Sequence, residues 1–304
     1  MQGGVGDVCH ILAEQFANHN QDVFVFSHAI TAEIDKRIHL TNTIQRWEMG
    51  SLNAIRQWAK THQLDVINLH FQTAAYGMSP FIHFVPHYTS VPVITTFHDL
   101  RFPYLFPKAG KLRNWIVMHL ARQSSGVIVT NHEDYQRVAG LDKARLIPIG
   151  GTVVAQLPEN YRRETWREHC GIQNGELLLA HFGFINHSKG LDVLFDALSE
   201  VRKQGLAFKL VMIGGRTGSS DPTNAAYAQQ IDSQIERLGL QDAIHWTGFV
   251  DNSEVYAYLQ AADLVILPFR DGASYRRSSL LTALRNHCAI ITTEPVIHVP
   301  TFEH

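Results

Sequence analysis

Short apolar runs rich in β-branched residues alternate along the chain with longer stretches in which apolar residues recur every three to four positions. Runs of the first kind predict buried strands, and the spacing in the second kind predicts amphipathic helices. The predicted strands are residues 23–26, 66–69, 93–96, 127–129, 146–149, 177–182, 210–213, 244–247, 264–267 and 290–293. Helices separate these strands, which indicates parallel sheets covered by helices on both faces.

A loop-rich stretch divides this pattern into two series of strands and helices. Residues 150–160 contain two adjacent glycines, a proline and an asparagine, which are typical of a connection between domains. We therefore predict an α/β protein with two Rossmann-like domains, residues 1–155 and 156–304, that face each other across a cleft. Ligands of open parallel sheets bind beyond the carboxyl ends of the strands, so candidate site residues are expected there.

The composition narrows the class of protein. Of the 304 residues, 45% are hydrophobic and 18% are charged, which excludes a disordered tail, a coiled coil and a fibrous repeat. The 26 basic and 28 acidic residues give a net charge of −2, so nucleic acid is not expected as a partner. The cysteines, Cys9, Cys170 and Cys288, form no CxxC pair, which argues against a disulfide framework or a zinc site and favours a reducing, cytoplasmic compartment. The 18 histidines are scattered, so no metal site is predicted, and no apolar run reaches the ~20 residues that span a bilayer.

Glycines precede the first predicted helix at Gly3, Gly4 and Gly6. Backbone N–H groups at such a turn can approach an anion, and the helix dipole favours negative charge there. A tight turn without a ligand explains the glycines equally well. A phosphate-binding loop normally follows a strand, and only two residues precede this one, so we expect the first strand of the domain to be missing.

A lysine follows another predicted strand end. The strand 177–182 leads to Gly183, and Ser188 is the predicted N-cap of the next helix. A cation at Lys189 opposes the helix dipole, which points to an anionic ligand. A solvated surface lysine is the alternative, and the position at the carboxyl end of a strand favours the ligand.

A second polar segment follows the strand 264–267. It combines an acid that can accept hydrogen bonds from sugar hydroxyls with arginines and N–H groups that can hold a diphosphate. Its candidate binding residues are Asp271, Gly272, Arg276, Arg277, Ser278 and Ser279. A polar loop with internal salt bridges is the alternative interpretation.

His98 and Asp99 end the strand that starts at Val93, and we expect them to face the cleft. Such a pair can serve general acid–base chemistry, but neighbours on an extended chain point apart, so a hydrogen-bonded dyad does not follow. The segment 101–122 then mixes basic and aromatic residues. It suits an acceptor or a weak, peripheral contact with a membrane surface, and a helix packed by its own aromatics is the other explanation.

Together these segments resemble the retaining family 4 (group 1) glycosyltransferases of the GT-B fold. The likeness runs over essentially the whole chain, through residues 3–6, 96–100, 147–150, 182–190, 246–249 and 262–268. It implies transfer of a sugar from a nucleoside-diphosphate sugar to an acceptor hydroxyl with retention of configuration, and without a bound metal or other cofactor. The acceptor, whether a glycan, a lipid-linked molecule or a small molecule, would enter over the amino-terminal domain.

The resemblance also implies roles for single residues. Lys189 would bind the donor diphosphate with help from the glycines of residues 3–6, and His98 would lie near the donor sugar. Asp271 matches the first acid of the family's Glu-x7-Glu motif, which contacts the transferred sugar. The second acid, which grips the ribose in the family, is replaced by Ser279, and Arg276 or Arg277 is expected to supply positive charge.

Two other functions remain open from the sequence. A dinucleotide-dependent oxidoreductase needs an acid after the second strand of its first domain, and this chain has Phe26, Ser27 and His28 there. A non-catalytic or decayed sugar-nucleotide binder would explain the missing second acid. We also expect the chain to be a poorly active fragment, because the glycines stand at its start and its last predicted strand lies close to His304.

Overall fold

The structure is a computed structural model that describes residues 4–28, 35–100, 110–151, 153, 156–216 and 222–302. The chain divides into two compact units, Met1–Ile149 and Gly150–His304. Gly3 and residues 101–109 of the basic and aromatic segment lie outside the described residues. The predictions made for them therefore stay predictions.

The first unit contains parallel strands separated by helices. Its strands are β1 (Val23–Phe26), β2 (Ile38–Thr41), β3 (Ile67–Phe71), β4 (Val93–Phe97), β5 (Gly126–Val129) and β6 (Ala144–Leu146). Its helices are α1 (Gly4–Asn18), α2 (Met49–Thr61), α3 (Val85–Tyr88), α4 (Gly110–Gln123) and α5 (His132–Val138). Within the described residues, β1 pairs with β2, and the other strands form a sheet in the order β3-β4-β5-β6.

The second unit is built in the same way. Its strands are β7 (Leu177–Phe182), β8 (Phe208–Ile213), β9 (Ile244–Gly248), β10 (Leu264–Leu267) and β11 (Ile290–Thr292). Its helices are α6 (Arg163–His169), α7 (Leu191–Lys203), α8 (Pro222–Leu238), α9 (Asn252–Ala261) and α10 (Ser278–Arg285). The strands pair in parallel in the order β11-β10-β7-β8-β9. This arrangement confirms the predicted α/β class with Rossmann-like units.

The sheet of the second unit has a hydrophobic core on each face. Leu178 and Ala180 of β7 pack with residues of α9 and α10, whereas Leu179 packs with residues of α7 and α8. Successive side chains of a strand point to opposite faces, so a strand that is apolar throughout needs cover on both sides. Strands β7 and β10 are neighbours in the interior of this sheet, so their carboxyl ends are supported by packed side chains on both faces.

The structure differs from the sequence prediction at three places in these units. Strand β2 was not predicted, because only Ile38 of its four residues is buried and the run carries no clear apolar pattern. The strand expected at 146–149 ends at Leu146, since Pro148 has no N–H group to donate to a sheet. Helix α1 already begins at Gly4, so Gly4 and Gly6 belong to its first turn and not to a loop before it.

None of the helices among the described residues is long and apolar enough to cross a membrane.

Candidate functional site

The turn that carries Lys189 lies at the carboxyl end of β7. Gly183 follows the strand with φ of 125°, and residues His187–Lys189 form one turn of 3₁₀ helix. The side chain of Asn186 caps this turn by accepting a hydrogen bond from the Ser188 amide at 2.9 Å. Gly190, with φ of 66°, then redirects the chain into α7. The prediction that Ser188 caps α7 is therefore wrong, because Lys189 precedes the α-helix in a separate turn of its own.

Backbone contacts join this turn to the loop between β10 and α10. The amide of Arg270 donates to the carbonyl oxygen of Ser188 at 3.1 Å. A β-carbon on Gly190 would collide with the carbonyl oxygen of Pro268. The two segments therefore lie closer together than they could if residue 190 carried a side chain. At Gly272, which has φ of 77°, a β-carbon would likewise collide with the carbonyl oxygen of Glu294. The loop and the turn are thus held side by side at the carboxyl ends of β7 and β10.

Two cations converge where these segments meet. The ammonium of Lys189 donates to the hydroxyl of Ser279 at 2.7 Å, and the guanidinium of Arg277 donates to the hydroxyl of Ser188 at 3.1 Å. The carboxylate of Asp271 forms an ion pair with Arg277. Both cations lie over the buried ring of Phe269, at 5.4 Å for the ammonium and 4.8 Å for the guanidinium from the ring centroid.

Gly183 leaves the space that the lysine occupies. A β-carbon there would lie 2.8 Å from the Nζ atom of Lys189, and φ at this position is one that other residues rarely adopt. A glycine is therefore needed both for the backbone conformation and for the approach of the ammonium. The predicted pairing of Gly183 with Lys189 in one site has this steric basis.

The charge of Lys189 is poorly compensated. Burial, together with the positive charge of Arg277, lowers the pKa of Lys189 to about 7. His181 of β7 lies nearby, and burial, with Lys189 adding to it, lowers the pKa of His181 to about 3, so this imidazole is neutral. The direct partner of the ammonium, Ser279, is a neutral hydroxyl. An anion placed here would restore the full positive charge of the lysine.

The remaining predicted residues of the loop differ in their positions. Ser278 is exposed at the start of α10, whereas Ser279 is buried and engaged by Lys189. Arg276 is partly buried, and Arg277 is the arginine that contacts both Ser188 and Asp271. A separate contact, the ion pair of Arg270 with Asp192, anchors the loop to α7. The structure thus brings Gly183, Lys189, Asp271, Arg277 and Ser279 together, while their binding roles remain predictions.

His98 belongs to the first unit and follows β4 directly. Its amide donates to the carbonyl oxygen of Phe71 at 3.0 Å. Two residues later, both polar groups of the Leu100 backbone are engaged. Its amide donates to the Asp134 carboxylate at 3.2 Å, and its carbonyl oxygen accepts from the Arg137 guanidinium at 2.9 Å. The Nε2 atom of His98 lies 3.0 Å from Nδ1 of His70. The side-chain partner of His98 is thus a second histidine, which the sequence did not predict.

Two residues that the sequence interpretation missed belong to these sites. Phe269 is buried beneath both cations, and its place directly after a strand, among polar residues, was the signal that it does not face water. His70 lies in β3 one residue beyond the predicted strand 66–69, and the apolar pattern of that strand carried no signal for it. Within the described residues, no group of three or more histidine, cysteine, aspartate or glutamate side chains is placed to hold a metal ion.

Family models match nearly the whole chain. The model described as Glycosyltransferase Family 4 matches residues 2–150, and that of the Glycosyl transferases group 1 matches residues 162–294, which include the cation cluster. The chain belongs to the family 4, group 1 glycosyltransferases. This finding confirms the resemblance seen in the sequence.

Individual relatives of this chain are distant. The alpha-monoglucosyldiacylglycerol synthase of Streptococcus pneumoniae is 27% identical over 223 residues, which are 68% of this chain and 47% of that protein. The D-inositol 3-phosphate glycosyltransferase of Nocardia farcinica is 28% identical over 151 residues, which are 48% of this chain and 30% of that protein. The chain thus aligns with half or less of the length of these curated relatives.

Solved structures support the fold of this chain. Sucrose-phosphate synthase from Thermosynechococcus elongatus superposes with a TM-score of 0.71 at 16% identity, over 95% of this chain and 75% of that one. HepE from Anabaena, solved in complex with UDP-glucose, superposes with a TM-score of 0.67 at 18% identity, over 97% of this chain and 83% of that one. These likenesses establish the GT-B fold.

Proposed function

We propose that this chain binds a nucleoside-diphosphate sugar in its second unit and transfers the sugar to an acceptor hydroxyl with retention of configuration. The observation that carries the proposal is the convergence of Lys189 and Arg277 at the carboxyl ends of β7 and β10. Ligands of open parallel sheets bind at this edge. A diphosphate is the part of the donor whose charge matches two adjacent cations.

The same cations suit the chemistry of the step. As the bond between the sugar and the diphosphate breaks, negative charge grows on the leaving phosphate oxygen. Cations that are already in place stabilise that charge without reorganising, which lowers the barrier. Lys189 is held by Ser279, and Arg277 is held by Ser188 and Asp271, so both are oriented before a ligand arrives.

Asp271 and His98 are proposed to contact the transferred sugar. The ion pair with Arg277 ties the position of the Asp271 carboxylate to the diphosphate side of the site. His98 is neutral at pH 7, because burial lowers its pKa to about 4, and the unprotonated nitrogen of a neutral imidazole can accept a hydrogen bond from a sugar hydroxyl. Charge stabilisation then comes from this chain's own residues, and we propose no metal or other cofactor. The acceptor hydroxyl belongs to a glycan, a lipid-linked molecule or a small molecule.

Binding without turnover is the second candidate function. It is favoured by Ser279, which stands where the family has a second acid and whose hydroxyl already accepts a hydrogen bond from Lys189. The donor would then make fewer contacts with its ribose. A dinucleotide-dependent oxidoreductase receives no such support, since β1 ends at Phe26 and the next two residues carry no acid.

The first experiment measures the shift in melting temperature with UDP, GDP and ADP for the parent chain, Lys189→Ala and Lys203→Ala. Lys203 is an exposed lysine of α7 that pairs with Glu200, so it controls for the loss of one positive charge from the same unit. We expect one diphosphate to raise the melting temperature of the parent and of Lys203→Ala but not of Lys189→Ala. Equal shifts in all three proteins, or no shift with any diphosphate, would contradict the proposed site.

The second experiment measures sugar transfer. The sugar nucleotides of the preferred base are incubated with the chain and a panel of acceptor alcohols, and the anomeric proton of the product is followed by NMR. A product with the donor's anomeric configuration supports the transferase. Tight binding with neither transfer nor hydrolysis of the donor would establish the second candidate instead.

A further inference from the structure

A pair of histidines joins two neighbouring strands of the first unit. His70 lies in β3 opposite Thr96 of β4, and His98 follows β4 by one residue. The Nδ1 atom of His70 is 3.0 Å from Nε2 of His98, and the two rings meet edge to edge with centroids 5.3 Å apart and an interplanar angle of 27°. This geometry is that of a hydrogen bond between the rings.

The backbone of each histidine of the pair is fixed by a hydrogen bond of its own. The hydroxyl of Tyr76 donates to the carbonyl oxygen of His70 at 2.8 Å, and the amide of His98 donates to Phe71 at 3.0 Å. Asn68 of β3 further binds the hydroxyl of Thr96 at 2.9 Å, which adds a second contact between these strands. The distance between the rings therefore follows from the register of the sheet.

One proton lies between the two rings. Burial lowers the pKa of both His70 and His98 to about 4, and for His70 the nearby His98 adds to this effect. Both imidazoles are therefore neutral near pH 7, and each carries a single N–H group. One ring donates and the other accepts, so the protonation of either ring fixes that of its partner.

The two arrangements of this proton differ in energy. If Nε2 of His98 donates, each ring carries its proton on Nε2, which is the more stable form of a neutral histidine side chain in water. If Nδ1 of His70 donates, both rings carry the proton on Nδ1, so both are in the less stable form. The first arrangement is favoured, and it leaves the Nδ1 lone pair of His98 as an acceptor.

We infer that His70 is a positioning residue that holds His98 with its Nδ1 lone pair directed to accept a hydrogen bond from a substrate hydroxyl. The inference rests on the proposed function, in which His98 contacts the transferred sugar. It goes beyond that function because it assigns a residue to the site and gives the direction of the hydrogen bond. His98 then acts as a fixed acceptor and not as the proton donor of the reaction.

The decisive test is the nitrogen spectrum of the chain labelled with ¹⁵N-histidine, with signals assigned from His70→Asn and His98→Gln. We expect the parent to show a protonated Nε2 and a bare Nδ1 on His98 at pH 7. The oxygen of asparagine at 70 lies near the place of the histidine Nδ1, so His70→Asn retains this pattern. His70→Leu offers no acceptor, and its His98 signals should shift toward a mixture of the two forms.

Two results would overturn the inference. One is a parent spectrum with the proton of His98 on Nδ1, and the other is an identical His98 spectrum in His70→Leu. The parent spectrum decides the first point even if His70→Leu fails to fold, and a His70→Ala variant, which is smaller and also offers no acceptor, then replaces the leucine variant for the second.

Turnover separates this inference from the proposed function. With the donor that the parent chain uses best, we expect kcat of His70→Leu to fall at least tenfold at nearly unchanged KM, and His70→Asn to restore most of it. If the spectra are as expected but turnover is the same in all variants, the positioning role is wrong, although the pair exists. If the parent turns over no donor, the proposed function fails, and the spectra still decide the hydrogen bond.

Discussion

Binding of a nucleoside diphosphate by this chain should take up a proton, because the ammonium of Lys189 is only partly charged in the empty site. Its pKa of about 7 makes it about half protonated at pH 7 and about 1% protonated at pH 9. A bound diphosphate raises that pKa toward its usual value, so the complex keeps the proton throughout this range. A group whose pKa rises on binding favours the complex at low pH and loses that contribution as the pH increases. The affinity should therefore fall roughly 50-fold between pH 7 and pH 9, or about 2.3 kcal/mol.

Titration calorimetry with UDP, or with the diphosphate preferred in the melting experiment, measures this effect directly. The heat of binding at pH 8 in two buffers of different ionisation enthalpy gives the number of protons taken up, which we expect to be about 0.9. Lys189→Arg is the matched control, since a guanidinium stays charged and should remove the pH dependence, whatever its effect on the affinity itself. Equal affinities at pH 7 and pH 9 in the parent chain, or an unchanged pH dependence in Lys189→Arg, would refute the reasoning.

Other changes test separate parts of the second unit. Asp271→Asn should lower turnover, measured by steady-state kinetics, while its affinity for the free diphosphate stays within about threefold of the parent's. Arg277→Ala should weaken that affinity, measured by calorimetry, by roughly 1.5–3 kcal/mol. Gly183→Ala should cost about 1–3 kcal/mol of stability and also weaken diphosphate binding, while Gly205→Ala, which also has positive φ but open space around it, should affect stability alone. Burial favours a higher pKa for Asp263, but hydrogen bonds from two arginines and a backbone amide outweigh it and hold that pKa below its usual value. Asp263→Ala should therefore lower the free energy of unfolding by about 2–3 kcal/mol at pH 7 in urea titrations, and the difference should shrink as the pH falls below about 4, where the carboxylate is protonated.

The strands of the second unit could be predicted because their sequences leave little choice. Residues 177–182 and 264–267 are apolar at nearly every position, and both strands have these bounds in the structure. The start of α7 could not be predicted from the same kind of pattern. Its position depends on the left-handed conformation of Gly190, which packs so closely against Pro268, about eighty residues away in the sequence, that no side chain fits there. Local propensity therefore placed the helix start too early.

The candidate site was predictable in its residue types and less so in its pairings. Lys189 and Asp271 follow buried strands, so general rules for parallel sheets placed them at the same edge. That Lys189 would bind Ser279, and that Arg277 would pair with Asp271, depends on side-chain directions in a loop. The contact of His70 with His98 depends on which strands are neighbours and on their register, neither of which appears in the periodicity of a single strand.

The Phe269 ring beneath Lys189 and Arg277 affects how strongly salt weakens anion binding at this site. The ring of Phe269 is 1% exposed, so no mobile ion can approach Lys189 or Arg277 from that side. A nonpolar wall of this kind directs the field of the cations outward, and charges so sheltered are screened less than those on an open surface. Attraction of an anion to this point should therefore persist at ionic strengths that abolish binding to exposed lysines. A chain with almost no net charge can in this way attract a strongly charged ligand to one place.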